Sequence, residues 1–337
     1  MFCRPGDLNI PYTPLQIKST RTMSFVIEKK GTSLKTARNI LKVLSYFDVF
    51  NYPLTREEIH FFIEQEMDST QIHSALRQLT IDKYVYSMGE FYSLQDNSVL
   101  RERRIKGNQN AEQLLKTAYK ISRLLYRFPY VRGIGISGSL SKNFADKNSD
   151  IDFFVITASN RLWIARTILH FLKKLSYIFG RQHWFCMNYF IDEDHLEIDE
   201  KNIYTATELI TLIPVCGDQT FHQFFQANNW ASQYYLNYCF KNERFLKNIR
   251  QSYFKTMFET LFNNPLGEGL DNLLMKITTK RWIKKESAQL LTIKGNRMGL
   301  KTGKHFSKPN PVFFQQKILK RYADKLHELD SRIYIEW

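Results

Sequence analysis

The chain has no run of apolar residues long enough to cross a bilayer as a helix, which needs about 20, and its N-terminus lacks the charged-then-apolar order of a secretory leader. Cysteine is scarce, with Cys3, Cys186, Cys216 and Cys239 among 337 residues. These four show no Cys-x-x-Cys spacing, and the histidines show no His-x-x-x-His spacing, so neither a disulfide framework nor a zinc motif is indicated. His183 and Cys186 alone do not make a metal site, and the thiols read as buried or incidental in a reducing compartment. A cytoplasmic address with no membrane partner follows as the expectation. Acid is also in deficit, with 33 Asp and Glu against 48 Lys and Arg, a formal charge of +15. The deficit is sharpest from Lys280 to Lys308, where nine basic residues face the single acid Glu286. That stretch reads equally as a surface for an anionic partner or as a solvated helix and loop. Its glycines, Gly295, Gly299 and Gly303, match no phosphate-binding fingerprint and suggest a mobile loop.

What the chain does have is ample apolar material, 43% of residues, enough for two or three domains. Residues 1–35 are polar, carry Pro5, Pro11 and Pro14, and read as a loose arm in which the internal Met23 marks an alternative start. Residues 36–98 read as helix, loop, two helices and a hairpin about Gly89. Thr55 is placed to cap the second helix, with Glu57 and Glu58 in its first turn, and Asp68-Ser69 opens the third. This order resembles a winged helix, with Gln71 to Thr80 in the position of a recognition helix. From Arg38 to Ser98, however, five basic residues stand against nine acidic ones, and duplex DNA is held chiefly through its phosphates. A structural, dimerising or acceptor-docking role is expected in preference to DNA readout.

Val131 to Ser137 alternates and ends in small residues, which suits a buried strand entering a tight turn at Gly138-Ser139. Only small side chains leave room there for a close approach to the backbone, and Ser139 to Ala145 can open a helix with its N–H groups directed at an anion. After a polar loop, Asp150 to Thr157 reads as a strand. Asp150 and Asp152 then face the same way, about 7 Å apart along the chain. Two carboxylates so placed are costly unless a cation neutralises them, and Mg²⁺ binds one or two carboxylates together with phosphate oxygens.

Gly138-Ser139, ten residues, then Asp150-Ile151-Asp152 resembles the signature of the polymerase-β-like nucleotidyltransferase superfamily. The resemblance covers Val131 to Ile191 best and the C-terminal part hardly at all. It implies an NTP substrate bound through Gly138, Ser139 and Lys142, with Mg²⁺ or Mn²⁺ on Asp150 and Asp152. It further implies transfer of a nucleoside monophosphate to an acceptor with release of pyrophosphate. The acceptor stays open among RNA, a sugar phosphate, a protein side chain and an antibiotic. The superfamily commonly has a third carboxylate on the strand after the next helix. Here that helix is expected over Asn160 to Phe179 with Asn160 as its cap, and the strand over Trp184 to Ile191, with Asn188 where the carboxylate would stand. An amide cannot serve as a base near neutral pH. Asp192 lies on the same face but about 13 Å further along, and Glu197 follows. Arg161, Arg166 and Arg181 flank the region as candidate phosphate clamps beside Lys142.

The expected organisation is an α/β (α+β) protein. The winged-helix module of 36–98, a possible homodimer contact, precedes a nucleotidyltransferase mixed sheet with flanking helices over 99–200. A basic, mainly helical domain over 201–337 follows, where Thr205 or Thr207 caps a helix carrying Glu208, Leu209, Leu212 and Ile213. The alternatives are a catalytically degenerate nucleotide- or partner-binding regulator and a nucleic-acid-binding regulator.

Overall fold

The structure, a computed structural model, describes residues 31–147, 149–237, 252–288, 292–293, 296–311 and 313–332. Cys3, Cys239, Lys294, Gly295 and most of the expected N-terminal arm lie outside them. The described residues fall into two compact units, one drawn from those within 106–231 and 252–314, the other from those within 31–105, 232–237 and 315–332.

The second unit opens with α1 (Gly31–Asp48), so the last five residues of the expected arm are helical. It continues through β1 (Leu54–Thr55), α2 (Arg56–Phe62), α3 (Ser69–Ile81), β2 (Tyr86–Met88) and β3 (Phe91–Ser93). The three strands form an antiparallel sheet in the order β1-β3-β2. Thr55 and Glu58 form the reciprocal cap that opens α2, and Asp68 with Gln71 does the same for α3. Ile40, Leu44, Leu54, Ile59, Ile72 and Leu76 make the core between them. Arg104 is 2% exposed, and its guanidinium donates to both Glu58 carboxylate oxygens and the Pro53 carbonyl and stacks on Tyr52.

α4 (Ser98–Tyr126) contains the division between the units. The other unit then holds β4 (Val131–Ser137), β5 (Asp152–Thr157), α5 (Leu162–Ile178), β6 (Cys186–Asp192), α6 (Ile203–Ile210), β7 (Ile213–Cys216) and α7 (Asp218–Ala227). α8 (Tyr253–Phe262), α9 (Pro265–Ser287), β8 (Thr292–Ile293), β9 (Asn296–Thr302) and β10 (Phe306–Pro311) follow; α10 (Phe314–Arg332) closes the described chain. One mixed sheet runs β7-β4-β5-β6-β10-β9-β8, parallel only between β5 and β6. Residues beyond 200 therefore supply four of its strands and are helical only in part. Gly299 pairs with Asn310 inside β9 rather than lying in a loop.

Every residue of β5 is buried, because both sheet faces are covered. On one face Ile134, Ile136, Phe153, Val155 and Phe190 pack with Trp163 and Leu169 of α5 and with Ala118 and Leu125 of α4. On the other, Phe154 meets Tyr189 and Phe224. The small residues of β4 serve that second face: a Cβ on Gly133 or Gly135 would stand 3.1 or 3.0 Å from the ring of Phe221. Their smallness admits a core phenylalanine, where a close approach to the backbone from outside was expected.

Two expected caps are corrected. α6 is capped by Asn202, whose side chain accepts from Thr205 N–H, and Ile213 has left the helix for β7. α5 starts at Leu162 rather than Asn160, which sits at φ 57°, a left-handed conformation that asparagine tolerates. The open N–H groups of this helix are met from α9, where buried Asp271 accepts from Ile164 N–H at 2.8 Å.

Burial raises the Asp271 carboxyl to about 6, overriding the backbone N–H groups of Ile164 and Trp163 that favour its anion. A folded-state value above the unfolded one means that this contribution to stability is complete below about pH 4 and is lost as pH rises through about 6. Wild type should therefore lose stability relative to Asp271→Asn between pH 4 and pH 7, followed as the difference between urea midpoints; an unchanging difference would contradict the assignment.

Candidate functional site

The site forms where β4 ends and β5 begins. Ser137, the last residue of β4, lies opposite Asp152, the first of β5, and its hydroxyl donates to the Asp152 carbonyl at 3.2 Å. The turn leaving β4 and the carboxylates entering β5 therefore emerge at one edge of the sheet. Gly138 turns the chain at φ 74°, a conformation that side chains resist. Ser139 follows in right-handed helical geometry, but only a single 3₁₀ turn, Leu140–Lys142, develops. The expected helix is replaced because Asn143 takes a left-handed conformation, at φ 54°. Phe144 then lies so close to α4 that a Cβ on Gly107 would stand 2.2 Å from its ring. Ala145 N–H donates to the Gly107 carbonyl, and Asn110 donates to the Ala145 carbonyl, which pins the loop to α4.

Asp150 precedes the strand rather than belonging to it, since β5 starts at Asp152. The intervening Ile151 is fully buried, and its backbone is held by the His183 carbonyl and Cys186 N–H. Both carboxylates are buried, at 5% and 4% exposure. Asp150 Oδ1 lies 2.5 Å from His183 Nδ1, and Asp152 Oδ1 accepts from the Asn188 amide at 2.6 Å. Asn188 reaches this point through a bulge: Met187 pairs with Phe153 and Tyr189 with Phe154, leaving Asn188 as the additional residue of β6. Its own amide oxygen accepts from the Cys186 thiol at 3.0 Å. His183, set aside in the sequence, joins the site; its signal there was its place just ahead of the third strand.

Lys142, expected at the phosphates, is committed to the turn itself. Its ammonium donates to the Gly138 carbonyl at 3.2 Å and to Glu208 Oε1 of α6 at 2.9 Å. The ion pair is largely enclosed, at 12% and 6% side-chain exposure. Burial works against the Glu208 anion, but the ammonium and the Gly138 backbone N–H more than offset it and hold its carboxyl below the usual range. Glu208, read from the sequence only as part of a helix, thus braces the Gly-Ser turn.

Other sequence candidates lie elsewhere. Asp192 is fully buried at the far end of β6, accepting from Asn160 N–H and Asp194 N–H and pairing with His305 at 2.9 Å. Asp192, Asp194 and His305 place one potential ligand atom each within 4.8 Å of one another, but the hydrogen bonds just named already occupy both Asp192 oxygens. Glu197 is exposed and pairs with Lys201. Arg161 donates to the carbonyls of Asn160, Phe262 and Asn264 beyond the end of β5, away from Asp152. Arg166 is buried under α5, and Arg181 stacks on Trp184 at 4.0 Å. Within the basic stretch, Lys308 is 2% exposed and paired with Glu200 at 3.0 Å, so it faces no solvent.

Residues 119–205 match the family model of the nucleotidyltransferase domain. The chain therefore carries such a domain from the last turns of α4 to the start of α6, in keeping with the polymerase-β-like superfamily. No curated protein and no solved structure matched the chain in the other two comparisons. Among the described residues no helix is long and apolar enough to cross a membrane.

The brace on the turn can be measured. Lys142→Met and Glu208→Leu should each destabilise the protein by about 3–5 kcal/mol, since each leaves a buried partner charge uncompensated. The Lys142→Met/Glu208→Leu double variant should lie near wild type in urea unfolding. Additive losses would show that the two residues do not act as a unit.

Proposed function

We propose that the chain is a metal-dependent nucleotidyltransferase that binds an NTP at the edge shared by the Gly138-Ser139 turn and Asp150 and Asp152. The observation that carries this reading is the pairing of Ser137 with Asp152, which sets the turn beside two buried carboxylates. The donor set fits the metal the family implies: two carboxylates offer hard oxygen ligands of the kind Mg²⁺ or Mn²⁺ takes alongside phosphate oxygens. Asp150 and Asp152 would hold it, and when bound it supplies charge neutralisation at the triphosphate and at the attacking acceptor oxygen.

The chain's own groups do the rest. Ser139 offers a hydroxyl and a backbone N–H beside the turn, and Lys142 with Glu208 keeps the turn in shape for the phosphates. His183 Nδ1 orients the Asp150 carboxylate, and the Asn188 amide fixes that of Asp152. In-line attack by an acceptor hydroxyl on the α-phosphate would release pyrophosphate. The acceptor belongs to an anionic class by the charge of the chain, RNA, a sugar phosphate or a protein, and the N-terminal unit is read as a winged-helix module that docks or dimerises.

A second reading, a nucleotide-binding regulator without turnover, rests on Asn188. Its amide donates to Asp152 where a third carboxylate would accept a proton. Pyrophosphate release from labelled NTPs with Mg²⁺ and candidate acceptors separates enzyme from binder.

Asp150→Asn and Asp152→Asn should each weaken divalent-dependent NTP binding by about tenfold or more while leaving a cooperative melt. Asn188→Asp should strengthen divalent binding, because it adds a ligand charge. Isothermal titration with Mg²⁺ and a non-hydrolysable NTP reads all three, and wild-type metal dependence in either aspartate variant would defeat the assignment.

A further inference from the structure

α5 turns one polar face toward the sheet. Trp163, Arg166 and His170 fall at i, i+3 and i+7 and so share a side of the helix. Trp163 donates its indole N–H to the Gly303 carbonyl in the turn between β9 and β10, and the His170 ring lies 6.0 Å from that of Phe190. Phe190 pairs in register with Ser307 of β10, so Ser307 projects from the same sheet face, beneath α5. Three polar atoms there are buried with no hydrogen-bond partner: Arg166 Nε, His170 Nε2 and Ser307 Oγ.

Arg166 is 5% exposed, and among the described residues no carboxylate pairs with it. The buried acids Asp271 and Asp192 are engaged elsewhere, with Ile164 N–H and with His305. Trp163 covers the guanidinium at 5.3 Å, which favours a cation over its ring but provides no acceptor for the in-plane N–H groups. The contrast with Arg104 is direct, since that buried guanidinium has a carboxylate and a carbonyl on its donors. A buried charge without a partner is retained at high cost, and a bound anion removes that cost.

We propose that Arg166, His170 and Ser307 form a binding site for a phosphate-sized oxyanion between α5 and β10. A guanidinium fork, an imidazole N–H and a hydroxyl are the donors that such an anion accepts from. All three donors are single side-chain groups converging on one spot, which suits a small inorganic oxyanion. Burial, reinforced by the charge of Arg166, lowers the proton affinity of His170, and a negative guest would reverse that. This site is separate from the carboxylate edge, since Phe190 pairs with Val155, three residues along β5 from Asp152, about 10 Å away. It does not depend on the function proposed above.

The test uses the full chain in EDTA, with inorganic phosphate titrated against chloride at constant ionic strength. Wild type should show a saturable rise in Tm with phosphate alone, and equilibrium dialysis with labelled phosphate should give one site per chain. Arg166→Met should melt no lower than wild type in chloride and lose the phosphate response, with at least a tenfold weaker Kd. Ser307→Ala should fold and bind several-fold more weakly, which keeps the test decisive if Arg166→Met does not fold. Asp152→Asn should keep the full response. The proposal is overturned if chloride matches phosphate, if Ser307→Ala or Arg166→Met binds like wild type, or if Asp152→Asn abolishes the effect.

Discussion

The register between β4 and β5 is the constraint on which the site depends. Because strand side chains alternate with a period of two, a slip of one residue would turn Asp152 away from its present face and exchange the two cores. The register is held from both sides, by Ile136 with Phe153 under α5 and by Gly135 with Phe154 under α7. Gly138 and Ser139 leave the sheet where they do because Ser137 is the last residue that can pair.

Three of the buried cations among the described residues are met by a carboxylate. Arg104 meets Glu58, Lys142 meets Glu208 and Lys308 meets Glu200, each pair bonded at 3.0 Å or less. Such pairs contribute little net stability over apolar packing, but they fix geometry, since breaking one leaves a stranded charge. At the turn this has a specific effect: the Lys142 ammonium holds the Gly138 carbonyl and is itself held by Glu208. The glycine that must stay in an unusual conformation is thus tied to α6 through one ammonium. Arg161 and Lys255 meet backbone carbonyls instead, whereas Arg166 Nε has no partner among the described residues.

The Gly-Ser turn, the Asp-x-Asp strand start and the helix after it were legible because each rests on local patterning: small residues, a β-branched run, a 3.6-residue repeat. Asn188 as the neighbour of the aspartates was legible only through the family resemblance, which places a carboxylate on the strand after the next helix. What the sequence hid came from tertiary contacts. Asp271 caps α5 from 107 positions away, and Glu208 reaches Lys142 across 66; no spacing rule connects such residues. The bulge at Asn188 was invisible because an extra strand residue leaves no mark on composition. Arg161 and Arg166 flank the site in sequence, yet lie away from it because β5 carries the chain the length of the sheet before α5 begins. Within the basic stretch Lys308 was hidden for a similar reason, as it alternates inward on β10.

The matched segment, residues 119–205, ends before β7 and well before β10. Those two strands are the hydrogen-bonded neighbours of β4 and β6. A ribosome that has completed the recognisable domain has therefore made a three-stranded sheet with both borders open, rows of amide groups and apolar side chains exposed to any other strand. The nascent chain must keep these borders from pairing wrongly until residue 311 has been synthesised. The long-range closure makes productive folding slow relative to local helix formation. Expression of the domain cut at its family boundaries would present the same open sheet permanently.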